Sequence, residues 1–289
     1  MRHTAIVVGT DGSEQSRATV RWAAAEARLR SAPLKILTAY PWNGPPEALD
    51  GVGELPDPVA QRFEQLAAAA AAEARAQQPG IEVTGAAVIG DPALVLVEAG
   101  RTAAMLVVGN RGRGGFTSLV LGSVSQHVAT HAAGPVVVVR GRADTASGPI
   151  AVGVDGSASA QRALALGFDE AQRRGCELLA VLCYPLPLYA MDVTPLPYDP
   201  DAARRDAASC LDAAVTPWRD KYPTVPVKTV AEPGSPARNL IDVSGHATLL
   251  IVGNRGHGAL VGSLLGSVSQ QLLHHADCPV MIVHAEQPA

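Results

Sequence analysis

The feature that most restricts the fold of this chain is a repeat at a constant spacing. Four residues of the first half recur 144 positions later in the second half: Asp11 as Asp155, Gly90 as Gly234, Gly109 as Gly253, and Pro135 as Pro279. A period of this length far exceeds the roughly 20–50 residues of solenoid and propeller repeats. In a chain of 289 residues it predicts two domains of one architecture, at 1–143 and 149–289, with a short linker between them.

Short apolar runs alternate with segments of helical periodicity in both halves. Ala5-Ile6-Val7-Val8 is a continuous apolar run, which is typical of a strand buried on both faces of a parallel sheet. The next segment has an apolar stripe at helical spacing, formed by Ala18, Trp22, Ala25 and Leu29. We predict first-half strands at 5–8, 34–39, 81–89, 105–108 and 136–139, with the same order in the second half. This alternation predicts an α/β fold of right-handed βαβ units.

A glycine-rich loop joins an apolar run to a helix in each half. The first loop is Gly109-Asn110-Arg111-Gly112, then nine residues, then Gly122-Ser123, and the pattern returns between Gly253 and Ser267. Glycine lets the backbone approach a ligand closely, and the N–H groups of a first helical turn favour an anion. The loops therefore predict phosphate sites. A purely structural turn is the alternative, since glycines also serve as turn residues.

Charge balance and cysteine spacing argue against several classes of function. The chain has 23 Lys and Arg against 27 Asp and Glu, a net charge of −4, which argues against a nucleic-acid-binding protein. The four cysteines form no Cys-x-x-Cys pair, so we expect reduced thiols rather than disulfides or a zinc site. The sequence has neither an apolar run of the ~18 residues that suggest a membrane span nor the pattern of a signal peptide. We therefore expect a cytoplasmic protein that does not enter a membrane.

The paired motifs of each half resemble the universal stress protein family in its tandem form. The resemblance rests on Gly-2x-Gly-9x-Gly-Ser together with Val-Gly-(Thr/Val)-Asp-Gly-Ser near the start of each half, and it covers nearly the whole chain. It implies two Rossmann-like domains of the adenine nucleotide alpha hydrolase-like kind, each a five-stranded parallel sheet of order 3-2-1-4-5 flanked by helices. It also implies ATP, with or without Mg²⁺, in each domain, and a homodimer with a regulatory role in the stress response.

The resemblance also assigns residues to the nucleotide. The glycines and serines of the loops would hold the phosphates, Asp11 and Asp155 would meet the ribose or a bound metal, and backbone groups near Ala39 and Cys183 would face adenine. The alternative role of Asp11 and Asp155 is to form a turn. The alternative for Arg111 and Arg255 is that they are solvated charges of the loop. The full set is Gly9, Thr10, Asp11, Ala39, Gly109, Arg111, Gly112, Gly122, Ser123, Val124 and Ser125 in the first half, and Gly153, Val154, Asp155, Cys183, Gly253, Arg255, Gly256, Gly266, Ser267, Val268 and Ser269 in the second.

The sequence offers no recognisable catalytic machinery beside these loops. It lacks the P-loop pattern Gly-x4-Gly-Lys-(Ser/Thr), and its first turn, Gly9-x-x-Gly12, departs from the dinucleotide fingerprint Gly-x-Gly-x-x-Gly. The helical histidines have no matching Cys or carboxylate set, so no metal site is predicted from them. Three hypotheses remain: an ATP-binding regulatory protein with little or no hydrolysis, a slow ATPase, and a nucleotide-free interaction scaffold.

Two features remain open to alternative interpretations. The long loops 41–58 and 185–200 are either lids over the ligand or surface connections, although their length favours a function. Arg113, Gly115 and Asp91 become His257, Ala259 and Ser235 in the second half, which predicts that the two sites are unequal.

Overall fold

The computed structural model describes residues 4–41, 58–112, 121–143, 147–186, 199–256 and 265–285. Most of the two long loops, and loop positions 113, 115, 257 and 259, lie outside these ranges. The chain divides into two compact units, Met1–Val139 and Arg140–Ala289. None of the helices within the described ranges is long and apolar enough to cross a membrane.

The first unit is a parallel sheet with helices in the connections between its strands. Its strands pair in the order β3-β2-β1-β4-β5. The elements in chain order are β1 Ile6–Gly9, α1 Glu14–Arg30, β2 Leu34–Tyr40, α2 Pro58–Gln77, β3 Val83–Ile89, α3 Pro92–Gly100, β4 Met105–Gly109, α4 Ser123–His131 and β5 Val136–Val139. The strand order reverses between β1 and β4, and the crevice at their carboxyl ends is where such sheets bind ligands.

The second unit repeats this architecture, and the predicted α/β class is confirmed in both. Its strands pair in parallel in the order β8-β7-β6-β9-β10. Its elements are β6 Ile150–Val154, α5 Ala158–Arg174, β7 Leu178–Tyr184, α6 Pro200–Lys221, β8 Val227–Pro233, α7 Pro236–Ser244, β9 Leu249–Gly253, α8 Ser267–His275 and β10 Val280–Val283. The equivalent crevice lies at the carboxyl ends of β6 and β9.

The central strands are buried because their sequences are apolar on both faces. Every residue of β4, β5 and β10 is buried, in accord with their continuous runs of Val, Leu, Met and Ile. Helix α2 packs on the sheet through small side chains, with Ala67, Ala71 and Ala74 at 1% exposure or less. These alanines let the helix come so close to β3 that a Cβ on Gly85 would clash with the Ala67 carbonyl. The aliphatic, alanine-rich core therefore reflects close helix–sheet contact.

The second unit replaces this alanine packing with an aromatic cluster. The ring of Phe168 on α5 stacks on those of Trp218 and Tyr222 near the end of α6, with centroids 6.2 and 5.5 Å apart. The equivalent residues in the first unit are Ala24, Ala74 and Gln78. The Tyr222 hydroxyl donates a 2.6 Å hydrogen bond to Oδ1 of Asp169. Burial, followed by this bond and the Asp169 charge, raises the pKa of Tyr222 to about 12.

We expect Tyr222→Phe to lower the free energy of unfolding by about 1–2 kcal/mol at pH 8, because a hydrogen bond to a carboxylate is lost. The pKa of this phenol is higher in the folded chain than its unfolded value near 10. The phenol therefore contributes its full stabilisation to the folded chain below about pH 10, and this stabilisation is lost as the pH rises through 12. Urea unfolding of both proteins at pH 8 and pH 11 measures the effect. An equal difference at both pH values would contradict the prediction.

Candidate functional site

A cavity of about 370 Å³ opens at the crevice of the first unit, between the carboxyl ends of β1, β2 and β4 and the start of α4. Every residue predicted for the first site lines it, although these residues come from four separate stretches of the chain. Residues not predicted also contribute, and four of them form an apolar wall: Leu37, Pro92, Val95 and Leu96. Leu37 was recognisable in principle, because it lies two residues before Ala39 and so faces the same side of β2.

The second unit has the equivalent cavity, of about 700 Å³. It is lined by every residue predicted for the second site and by an apolar wall from unpredicted residues: Val181, Pro185, Pro236 and Leu240. Pro236 matches Pro92, and both stand at the first position of a helix, α7 and α3. Each cavity therefore combines an apolar side with a polar, glycine-rich side.

The polar side is formed by the first turn of α4 in one unit and of α8 in the other. Ser13, Asp91 and Ser157 cap α1, α3 and α5 by accepting hydrogen bonds from first-turn N–H groups. Helices α4 and α8 instead begin after Gly122 and Gly266, which have no side chain for capping. Backbone bonding within α4 begins with Gln126 N–H donating to the Gly122 carbonyl at 3.0 Å. The N–H groups of 123–125 precede that bond and lie at the cavity, where an anion would meet them.

The glycines of the motif serve different physical roles. A Cβ on Gly112 would lie 2.7 Å from Oδ2 of Asp11, and a Cβ on Gly256 would meet Oδ2 of Asp155. These two glycines therefore make room for a carboxylate of the protein itself. Gly122 has φ −77°, and the nearest atom to a Cβ there would be the Asn110 carbonyl oxygen at 3.5 Å, an ordinary contact. A methyl group at 122 would therefore make ordinary contacts with the protein, at a position that lines the cavity.

Asp11 and Asp155 each form a turn and also reach across the crevice. Oδ1 of Asp11 accepts a hydrogen bond from Ser13 N–H at 3.0 Å, and Oδ1 of Asp155 accepts from Ser157 N–H at 3.0 Å and from Ser157 Oγ at 2.6 Å. The turn role suggested as an alternative is thus present. The second oxygen of each carboxylate lies over the glycine of the facing loop. A negative charge at this place favours sugar hydroxyls or a cation as its neighbour.

Ser125 and Ser269 fix the first turns of α4 and α8 in place through their hydroxyl groups. Ser125 Oγ donates to the Gly109 carbonyl at 2.5 Å, and Ser269 Oγ donates to the Gly253 carbonyl at 2.8 Å. Both serines are buried, and each ties its helix to the end of a central strand. Their hydroxyl hydrogens are used within the protein, so a phosphate would meet their backbone N–H groups instead. The side chains of Arg111 and Arg255 are at the cavity rims and are exposed.

Ala39 lies beyond the end of the neighbouring strand β1, and Cys183 lies beyond the end of the neighbouring strand β6. Strand β1 ends at Gly9, opposite Leu37, whereas β2 continues to Tyr40. The odd-numbered residues of β2 bond toward β1, as Thr10 N–H does to the Leu37 carbonyl at 2.9 Å, so the peptide groups of Ala39 point into the crevice. Cys183 has the equivalent place on β7. Burial raises the pKa of the Cys183 thiol, which keeps it protonated near neutral pH.

The two sites differ in the contacts that hold their loops. In the second unit, Ser159 is 3% exposed and donates a 2.6 Å hydrogen bond to the Arg255 carbonyl. The equivalent residue in the first unit is Gln15. There, Thr10 and Ser16 instead share a buried 3.0 Å hydrogen bond beneath the first turn. Neither arrangement was predicted; the Ser159 contact joins residues 96 positions apart in the chain, which no local pattern indicates.

Both halves of the chain are similar to one known family of proteins. The model of the universal stress protein family matches residues 3–140 and again 147–284. A universal stress protein of Mycobacterium tuberculosis strain H37Rv is 35% identical over 289 aligned residues, which cover 96% of each chain. The crystal structure of a universal stress protein from Archaeoglobus fulgidus has a TM-score of 0.72 at 21% identity and covers 99% of this chain and 100% of that chain. A universal stress protein crystallised with cAMP is 30% identical and covers 48% of this chain and 98% of that chain, with a TM-score of 0.38.

Proposed function

This chain belongs to the universal stress protein family, and we propose that each of its two units binds one ATP as part of a regulatory role in the stress response. The observation that carries the proposal is the glycine-capped helix at each cavity, where first-turn N–H groups face an apolar wall across the crevice. Phosphates suit these N–H groups, and a purine base suits the wall and the peptide groups of Ala39 and Cys183. An adenine nucleotide would contact both sides of the cavity, with its phosphates at the N–H groups and its base at the apolar wall.

The energy of binding must come from several contacts acting together. One helix N-terminus supplies only about 0.3–1 kcal/mol to an anion, whereas micromolar affinity requires about −8 kcal/mol. The remainder would come from burial of the base and from several N–H groups on the phosphates. The carboxylates of Asp11 and Asp155 oppose a bare polyphosphate. They fit a ribose hydroxyl or Mg²⁺, and Mg²⁺ bound to the phosphates would supply positive charge in a net-acidic chain.

Little or no hydrolysis is part of the proposal. Phosphoryl transfer requires a residue that orients the attacking water as well as charge stabilisation. Within the described ranges, the carboxylates nearest the cradles, Asp11 and Asp155, accept hydrogen bonds from their own turns. Phosphate release from Mg·ATP would measure any turnover. Fast release, abolished by Asp11→Ala together with Asp155→Ala, would support an ATPase in place of a regulatory binder.

The proposal is tested by identifying the bound ligand and by measuring how much it raises the free energy of unfolding. The purified chain is denatured, released small molecules are identified, and the emptied protein is titrated with Mg·ATP by calorimetry. We expect two nucleotides per chain and, at 100 times the Kd, about 2.7 kcal/mol of added stability for each occupied site. Absence of nucleotide, of heat at millimolar ATP and of any stabilisation would favour an interaction scaffold.

We expect Ser159→Ala to lower the affinity of the second site for Mg·ATP by about 5- to 10-fold, because it removes a hydrogen bond worth about 1 kcal/mol and leaves the Arg255 carbonyl to the longer hydrogen bond from Ser157 Oγ at 3.4 Å. Calorimetry should then resolve two unequal sites. Gln15→Ala is the matched control, since the equivalent position of the first unit carries an amide side chain in place of the Ser159 hydroxyl. An equal loss of affinity in the control would contradict the assigned role of Ser159.

A homodimer and a cytoplasmic location also remain proposals, supported by the family to which the chain belongs. Light scattering of the purified chain with and without ATP tests the first. Fractionation of cells that produce the chain tests the second.

A further inference from the structure

Strand β3 of the first unit and strand β8 of the second are edge strands. Among the described strands, β3 pairs with β2 alone and β8 pairs with β7 alone. An edge strand presents unpaired N–H and C=O groups, and proteins commonly protect such an edge with charged residues or proline. The two strands have equivalent places in their units, so their edges can be compared residue by residue.

The edge of β8 is protected by its sequence. Gly234 N–H donates to the Tyr184 carbonyl at 2.9 Å, so the even-numbered residues at this end of β8 bond to β7 and the odd-numbered residues face outward. Pro233 therefore lies at an outward position, where it removes an N–H group from the edge. Lys228 and Glu232 add exposed charges along the same strand. Another strand would pair poorly with this edge.

The edge of β3 has none of these protective residues. Gly90 N–H donates to the Tyr40 carbonyl at 2.9 Å, so the outward positions of β3 are again the odd-numbered ones. The counterparts of the lysine, glutamate and proline of β8 are Thr84, Val88 and Ile89. The whole strand is uncharged, and isoleucine restores the outward N–H group that proline lacks.

The outward backbone groups of β3 are available to a partner over the second half of the strand. At its start, the Val83 carbonyl accepts a hydrogen bond from Nη2 of Arg75 at 2.5 Å. The outward groups that follow belong to Gly85, Ala87 and Ile89, and within the described ranges they have no hydrogen-bond partner. A row of unpaired groups on an uncharged strand is a template for a further strand.

The chemistry of this edge fits a second copy of the same strand. Two copies of β3 can pair antiparallel about a twofold axis at Ala87, with Gly85 of each copy opposite Ile89 of the other. The pairing brings no charges together, because the strand has none. Ile89 is 42% exposed and Leu94, in the first turn of α3, is 60% exposed, so both offer apolar surface beside the edge. Their counterparts in the second unit are a proline and Arg238.

Building on the proposed homodimer, and independently of nucleotide binding, we infer that the edge of β3 is the surface through which two copies of this chain associate. The two strands pair antiparallel and join their sheets across the twofold axis. The edge of β8 takes no part in this contact, because Pro233 interrupts its outward N–H groups and its charges would meet their own copies.

Sedimentation velocity of the full chain over a range of concentrations gives the Kd of the dimer. Ile89→Pro gives β3 the residue that β8 has at the equivalent position, so the fold accommodates it. The change removes one outward N–H group, and we expect the Kd to rise by at least about 10-fold. Ile89→Val is the matched control, since valine keeps both the N–H group and the β-branched shape, and its Kd should equal that of the wild type.

Val88→Glu tests the charge rather than the backbone. It gives β3 the glutamate of β8 and places a carboxylate from each copy in an uncharged contact, so the dimer should weaken at low salt and partly recover at high salt. Urea unfolding and Mg·ATP titration of each variant should match the wild type, because neither position lines a cavity.

The reverse change, Glu232→Val with Pro233→Ile, gives β8 two residues of β3 and should produce species larger than a dimer. Such species, together with weakened dimers in Ile89→Pro and Val88→Glu, would support the inference. A dimer that both β3 variants leave unchanged would overturn the β3 contact and leave the proposed homodimer to another surface. A wild-type chain that stays monomeric at high micromolar concentration would overturn the homodimer as well.

Discussion

Replacing Gly122 with alanine is expected to lower the affinity of the first site for Mg·ATP by about 10- to 100-fold. The methyl group would have ordinary contacts with the protein, since its nearest neighbour would be the Asn110 carbonyl oxygen at 3.5 Å. Because Gly122 lines the cavity at the start of α4, we expect the methyl group to crowd a phosphate bound there, and overpacking costs about 1–3 kcal/mol. Calorimetry should show one tight site per chain in place of two, and Gly122→Ala with Gly266→Ala should show none.

Gly134→Ala is the matched control for this change. Gly134 lies between α4 and β5, at the end of the sheet away from the crevice, and a Cβ there would be 3.8 Å from its nearest neighbour. Its equivalent in the second unit is Cys278, so a side chain is accommodated at that position of the fold. We expect two tight sites and unchanged unfolding in this variant. Wild-type affinity in Gly122→Ala would contradict the cradle, because the methyl group leaves the protein free to fold.

The largest effect on stability is expected for Glu170→Ala, at about 3–5 kcal/mol of the free energy of unfolding. The Glu170 side chain is fully buried on α5 and forms an ion pair with Arg174, whose side chain is 12% exposed. The first unit repeats this pair as Glu26 and Arg30, at 2.5 Å. Removing one partner of a buried ion pair leaves a guanidinium group without its counter-charge where water has little access. Urea unfolding at pH 7 measures the loss.

Glu98→Ala is the control, because it removes one partner of an ion pair that is exposed to solvent. Glu98 pairs with Arg101 at 3.2 Å, but the two side chains are 72% and 67% exposed. Solvent and salt screen such a pair, so we expect a change below about 1 kcal/mol. Similar losses in the two variants would show that burial does not decide the strength of the Glu170 pair.

Much of the fold could be predicted because its signals are local. The repeat and the apolar runs indicated the strands and helices of both units, with errors at their ends such as β3, predicted at 81–89 and observed at Val83–Ile89. The ends of elements depend on hydrogen bonds to neighbouring strands, which a local pattern does not contain. The cavity residues Leu37 and Val95 were missed for a related reason: apolar residues in such positions are equally expected in a core.

The sequence by itself determined the order of the elements, the equivalence of the two halves and the presence of a glycine-rich loop before a helix in each. Apolar periodicity and glycine spacing are properties of short stretches, and the repeat needs only a comparison of the two halves. Only the tertiary structure decided that Asp11 lies over Gly112, that Ser159 holds the Arg255 carbonyl, and that Asn239 donates to Cys183. These contacts exist because strands far apart in the chain pair side by side to bury their faces, and no local pattern specifies which side chains then meet.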